Sequence, residues 1–185
     1  MTLSDTTKAQ THSINIQTTP LVRWPWFGIA AFFWAADQAI KYAVTLRMQL
    51  FDSIPIVPGF NWVYVLNPGA AFSFLANSGG WQRYFFTIIA LVVSAVLMVV
   101  LWRGVVSKLE SLAYALLIAG ALGNGTDRVR IGAVVDYLDV YWRNWHWPAF
   151  NLADICVSVA AALLIASTFR QNIQPQIAKD PDHAN

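Results

Sequence analysis

The stretch Tyr84–Trp102 contains no charged residue, and Arg83 and Arg103 close it off at both ends. Crossing a bilayer's hydrocarbon core takes about 20 helical residues. A soluble fold would have to hide such a run completely. This chain has little polar surface to do so: hydrophobic residues make up 57 % and charged residues 12 %, where soluble domains average about 25 % charge. The run is therefore read as a membrane span, with three more apolar stretches beside it. The expected fold class is an all-α membrane protein, a bundle of four transmembrane helices over about 24–43, 84–102, 111–126 and 154–170. Residues 1–22 and 171–185 are polar and read as flexible tails around a single membrane unit, 23–170.

Several uncharged stretches are shorter than a full span, so some flanking charges must lie at the bilayer edge. Ionisable groups at that depth are costly and usually functional. Four alternating spans bring Asp37, Asp52, Asp127, Asp136, Asp139 and Asp154 to one face, six of the ten acidic residues. Basic residues divide evenly between the faces. The short loop holding Arg103 and Lys108 favours cytoplasmic tails, because short loops weigh most in the positive-inside rule. The segment 44–80 is not a span. Pro55, Pro58 and Gly59 mark turns, and Asn61–Val65 is strand-forming, so a small β-sheet element is expected on the aspartate side.

The net charge of +2 gives no footprint for nucleic acid. One cysteine and three scattered histidines offer no metal-ligand spacing. Cys156 reads as a packed apolar residue.

Three constellations stand out. Asp37 and Lys41, four apart, share a helix face and read as an ion pair. Gly120–Gly125 is rich in small residues that let membrane helices pack closely; Asn124, Asp127 and Arg128 follow on the same helix. Asn151 and Asp154 have the spacing of a capping box, which sets Asp154 at the positive end of a helix dipole and favours its ionised form. Asp136, read as lying in a loop between apolar segments, tends toward the neutral form. Two carboxyls in unlike environments can share a proton and act as base and acid. By pattern, Asp139 serves as well as Asp136. Other readings of intramembrane acids are a proton-coupled membrane transporter or a structural membrane protein.

Five motifs occur in order: Asp37-Gln38-x-x-Lys41, Asn67-x-Gly69-Ala70-Ala71-Phe72-Ser73, Gly123-Asn124-x-x-Asp127-Arg128, Gly132-x-Val134-Val135-Asp136 and Phe150-Asn151-x-Ala153-Asp154. In this combination the chain resembles the lipoprotein signal peptidase (signal peptidase II) family from about Trp24 to Phe169. Residues 72–83 look most like Gram-negative members. The resemblance implies an aspartic endopeptidase of the bacterial inner membrane, multi-pass, with both termini cytoplasmic and the site near the periplasmic face. It implies Asp136 and Asp154 as the catalytic pair, choosing Asp136 over Asp139. Asn124, Arg128 and Asn151 match positions that support the pair or bind substrate. Asn67 and Gly69-Ala70-Ala71 match a segment near the substrate. Asp37, Lys41, Asp127 and Ala153 are further motif positions. The implied partners are diacylglyceryl-modified prolipoproteins, cut just before the lipid-modified cysteine, and membrane lipid; no metal or organic cofactor is implied, and a monomer is expected. Gly125-Thr126, Pro68 and the tryptophans of 141–149 (Trp142, Trp145 and Trp147) depart from the family pattern.

Overall fold

The computed structural model describes residues 23–69, 80–104 and 107–177, with side chains to residue 170. The tail 1–22, the motif residues Ala70 to Ser73 and the end of the second tail, 178–185, lie outside the described residues. Four helices carry the chain: α1 (Trp24–Arg47), α2 (Trp81–Arg103), α3 (Lys108–Ile131) and α4 (Leu152–Ile177). Each extends beyond the uncharged stretch that marked it, because the polar residues at its ends are helical too. α4 continues to Ile177, into the segment expected as tail.

Local chemistry sets the helix limits. Pro25 starts α1, where a missing N–H costs nothing. Ser107 and Glu110 close a reciprocal capping box on α3, which satisfies two otherwise orphaned donors. Gly132 ends α3 with φ +81°, and its N–H donates to the Arg128 carbonyl; a Cβ would be strained there.

α3 packs against all three other helices, and its small residues permit this. A Cβ on Gly120 would lie 2.5 Å from the Ala153 carbonyl oxygen and 2.7 Å from Val157 Cγ2. The glycines thus set how closely α3 and α4 approach, as expected from Gly120–Gly125. Ala113, Leu116, Cys156 and Ala160 fill the seam between them, so Cys156 is a packed apolar residue. Two helical segments, Trp81–Arg103 and Leu152–Arg170, are long and apolar enough to cross a membrane. Along α2, Phe85, Ile88, Leu91, Val92, Val96 and Val99 are all exposed. A bare apolar face of that extent suits lipid rather than water.

The sheet is larger than expected. β1 (Ser53–Val57), β2 (Phe60–Asn67), β3 (Val134–Trp142) and β4 (Trp145–His146) form one antiparallel sheet in the order β1-β2-β3-β4. Asp136 is therefore on a strand, correcting the loop read from sequence. Val134–Trp142 is rich in β-branched and aromatic residues, which favour a pleated, half-buried surface. Its partner comes from the distant 60–67 segment, with Val65 opposite Asp136 and Asn67 opposite Val134. Tyr137, Val135, Val44 and Met48 form the core beneath the sheet, and Tyr137 stacks on Trp62 with ring centroids 5.1 Å apart.

Candidate active site

At one end of the bundle, α1, α3, β3 and the start of α4 converge on two connected polar groups. The first surrounds Lys41. Its Nζ lies 2.9 Å from Asp37 Oδ2 and 2.8 Å from Asp127 Oδ2, all three side chains being buried. Both carboxylates also accept from backbone. Asp37 Oδ1 accepts from the Ala153 N–H at 3.0 Å, capping α4. Asp127 Oδ2 also accepts from the Val135 N–H at 3.2 Å, holding the start of β3. Gln38 Nε2 donates to Asp37, Asp127 and the Gly123 carbonyl. One buried cation thus ties α1 to α3, to β3 and to α4. The expected Asp37–Lys41 pair is present, with Asp127 as an additional partner. The sequence carries no local signal for this role of Gln38, because two of its three partners, Gly123 and Asp127, lie on α3.

The second group holds Asp136 and Asp154. Asn151 Nδ2 donates to Asp136 Oδ1 at 2.7 Å and to Asn124 Oδ1 at 3.1 Å. Asn124 Nδ2 in turn donates to Asp154 Oδ1 at 2.8 Å. The two carboxyls are thereby bridged by two side-chain amides in series. Asn67 Nδ2 donates to the other oxygen of Asp136 at 3.2 Å. The capping box read from sequence is formed: Asp154 N–H donates to Asn151 Oδ1 at 3.0 Å, and Asn151 N–H to Asp154 Oδ2 at 3.2 Å. Asn124 joins the two groups, since its Oδ1 also accepts from Lys41 Nζ at 2.9 Å.

Asp136 is buried. Burial, and then the nearby charge of Asp154, push its carboxyl up from the ordinary range to about 7; the hydrogen bonds from Asn67 and Asn151 pull the other way. Near neutral pH it can hold or release a proton. The arrangement therefore offers both partners needed for general acid–base chemistry. Tyr137, next to Asp136, has its phenol pushed up by burial, and its OH accepts from the Leu152 N–H at 3.0 Å. Tyr137 thus acts as a further clamp on α4, legible only once β3 is seen as a strand.

Asp139 is engaged elsewhere. It accepts from Asn61 Nδ2 at 2.8 Å and faces His146 Nδ1 at 2.9 Å. Arg128 donates to the Asn124 carbonyl, stacks over Phe86 at 5.3 Å, and its Nε has no partner among the described residues. Gly69 takes φ +103°, and its N–H donates to Asn67 Oδ1 at 2.9 Å. That tight turn holds the amide whose other end meets Asp136. Ala153 packs against Gly123, where an added Cβ would lie 3.0 Å from the Ala153 Cβ and 2.7 Å from Asp37 Oδ2, so position 123 has no room for a side chain.

Among the described residues no cluster of His, Cys, Asp and Glu is arranged to hold a metal ion. A groove of about 310 Å³ opens beside Asp154. A second cavity, about 200 Å³, lies against Lys41 and Asp127.

Residues 29–170 match the family described as signal peptidase (SPase) II. The chain is 49 % identical over 146 residues to the lipoprotein signal peptidase of Actinobacillus succinogenes, covering 78 % of this chain and 88 % of the relative. It is also 49 % identical over 140 residues to that of Serratia marcescens, covering 76 % and 82 %. Two structures solved as bacterial membrane enzymes by the in meso method are similar in fold. One superposes with a TM-score of 0.73 at 30 % identity, covering 88 % of this chain and 95 % of the other. The second gives 0.69 at 33 % identity, covering 78 % and 92 %.

Proposed function

The chain belongs to the signal peptidase II family, and from that premise we propose that it is an aspartic endopeptidase that removes signal peptides from diacylglyceryl-modified prolipoproteins. The observation that carries the catalytic assignment is the pair of carboxyls, Asp136 and Asp154, bridged through Asn151 and Asn124. The family acts on peptide bonds, and this pair supplies a base and an acid within one hydrogen-bonded unit.

In the proposed reaction a water sits between the two carboxyls and the scissile carbonyl. Asp154 takes a proton from the water as its oxygen bonds to the carbonyl carbon. Asp136 gives its proton to the carbonyl oxygen. The result is a neutral tetrahedral diol, with no oxyanion left unpaired in a poorly solvated site. On collapse the C–N bond breaks, Asp154 passes its proton to the leaving nitrogen, and one hydroxyl returns a proton to Asp136. The products are a carboxylic acid and an amine, and both carboxyls regain their starting states. The value of about 7 for Asp136 supports it as the acid. Asn67 and Asn151 fix its orientation, and Arg128, donating to the Asn124 carbonyl, supports the amide that holds Asp154. The cut falls just before the lipid-modified cysteine, so the bond and the lipid anchor arrive together.

In this reading all four helices span the bacterial inner membrane as a monomer, with both termini cytoplasmic and the sheet and carboxyl pair at the periplasmic face. Burial and pairing of Asp37, Lys41 and Asp127 let α1 and α3 carry charge at the bilayer edge. A proton-coupled transporter finds no support in the family match. The test uses Asp136→Asn and Asp154→Asn with lipid-modified prolipoprotein in detergent. Each folded variant should lose cleavage; near-normal cleavage by either would sink the assignment.

A further inference from the structure

We propose that the groove beside Asp154 receives an acyl chain of the lipid-modified substrate, and that Trp147 in its wall sets the preference for chain length. The inference rests on the peptidase reading above and deepens it. The groove, about 310 Å³, is lined by Trp147, Phe150, Asp154, Ile155, Ser158 and Val159. One of its boundaries is thus a member of the carboxyl pair, and most of the rest is apolar.

Its surroundings identify the occupant. Ile155 and Val159 are exposed on α4, one of the helices apolar enough to cross a membrane. The groove is therefore continuous with a lipid-facing surface on one side and with a reacting carboxyl on the other. An apolar group entering it leaves hydrocarbon for hydrocarbon-like walls and meets no desolvation barrier. The substrate class carries its acyl chains on the residue next to the scissile bond. A chain seated here would keep that bond at Asp154, turning binding into alignment.

The wall is fixed before anything binds. Trp142 and Tyr141 pair with Trp145 and His146 in the β3–β4 hairpin. The Trp147 N–H donates to the Val140 carbonyl at 2.8 Å, and the Trp145 ring meets the Trp147 ring edge-on at 5.8 Å. Tyr141 stacks on His146 at 5.0 Å, and His146 is held by Asp139, itself held by Asn61. Phe150 is locked to Leu138 by reciprocal backbone bonds of 2.9 and 3.0 Å. A preformed wall spares the ordering cost of binding. Asp139 thereby gains a purpose as a brace for the groove, and Trp147 gains one among the tryptophans of 141–149.

The test compares two synthetic substrates with one peptide and different diacylglyceryl groups, dipalmitoyl and dioctanoyl, cleaved by the full chain in detergent. The wild type should favour the palmitoyl substrate, chiefly through KM. Trp147→Ala should reduce that preference about tenfold, and Trp147→Phe should restore most of it. Trp142→Ala, on the same hairpin but outside the groove, should leave the preference intact. An equal loss on both substrates with Trp147→Ala would overturn the inference, as would an equal loss of preference with Trp142→Ala. Cleavage by the wild type without regard to chain length would overturn it while leaving the peptidase reading standing. A wild type that cleaves neither substrate would instead bring down the peptidase reading, and this inference with it.

Discussion

Two pairs of aspartates sit at the same end of the bundle, joined through Asn124, yet they are treated differently. Asp37 and Asp127 share Lys41, and their other contacts are with backbone and Gln38. Asp136 and Asp154 have no cation within bonding distance among the described residues; their side-chain partners are amides. A carboxylate bonded to a buried ammonium depends on that cation, and losing it is expensive. Asp136 has no such cation bonded to it among the described residues: neutral amides fix its geometry, and burial, then the nearby charge of Asp154, move it to about 7. The first pair holds elements together; the second is the one proposed to exchange protons. Asn124 makes them interdependent. With its oxygen fixed by Lys41, its amide must face Asp154.

The sharpest way to break this contrast is to neutralise one member of each pair. Asp154→Asn and Asp136→Asn should each lower turnover roughly a thousandfold, the scale of a lost general acid or base, while thermal unfolding in detergent changes little. Asp37→Asn should do the reverse, lowering the unfolding temperature and reducing activity mainly in proportion to the unfolded fraction. Equal destabilisation by all three variants would erase the distinction. Lys41→Met should be the most disruptive to folding. It leaves two buried carboxylates facing each other, and breaking a buried pair costs roughly 3–5 kcal/mol. Thermal unfolding in detergent measures it, and a shift within error would mean the cation is dispensable.

A smaller effect separates packing from charge. Gly120→Ala sets a methyl against the Ala153 carbonyl and Val157, pushing α4 away from α3 at about 1–3 kcal/mol for overpacking. Because Ala153 adjoins Asp154, kcat should fall beyond what lost stability explains. Gly28→Ala, inside α1 where nothing lies within 4 Å of the added methyl, should leave kcat unchanged and cost no stability, since Ala favours a helix interior over Gly.

How much of this is legible in the sequence depends on the range of the signal. The helices, the Asp37–Lys41 pair and the Asn151–Asp154 cap rest on residues three or four apart, and all three are present. The small-residue stretch on α3 likewise announces close packing. Asp136 reads as a loop residue in the sequence because its strand exists only through pairing with residues 60–67, far away in the chain. Its pattern, Val-Val-Asp-Tyr-Leu-Asp-Val-Tyr-Trp, is β-prone throughout, but the acids interrupt the apolar alternation. The choice between Asp136 and Asp139 had no local signal at all. Register decides their surroundings, setting Asp136 opposite Val65 and Asp139 opposite Asn61. Gln38 and Tyr137 carry no local signal for the same reason: Gly123 and Asp127 for the first, and Leu152 for the second, lie on other elements.

The least disruptive probe of the contrast is Asn67. Its amide donates to Asp136 Oδ2, and that bond favours the charged carboxylate, holding the Asp136 value below where burial alone would put it. If Asp136 is the acid, the wild-type rate should fall about tenfold per pH unit above roughly 7, as the required proton is lost. Asn67→Ala removes a contact that favours ionisation, so the proton should be held to higher pH and the alkaline limb should move upward. The rate at the optimum should drop as well, since the carboxyl loses one of its two orienting amides. A mutation at a merely structural position would lower the whole profile without moving its limb. A limb that stays in place, or moves down, would show that the proton it reports is not the one on Asp136.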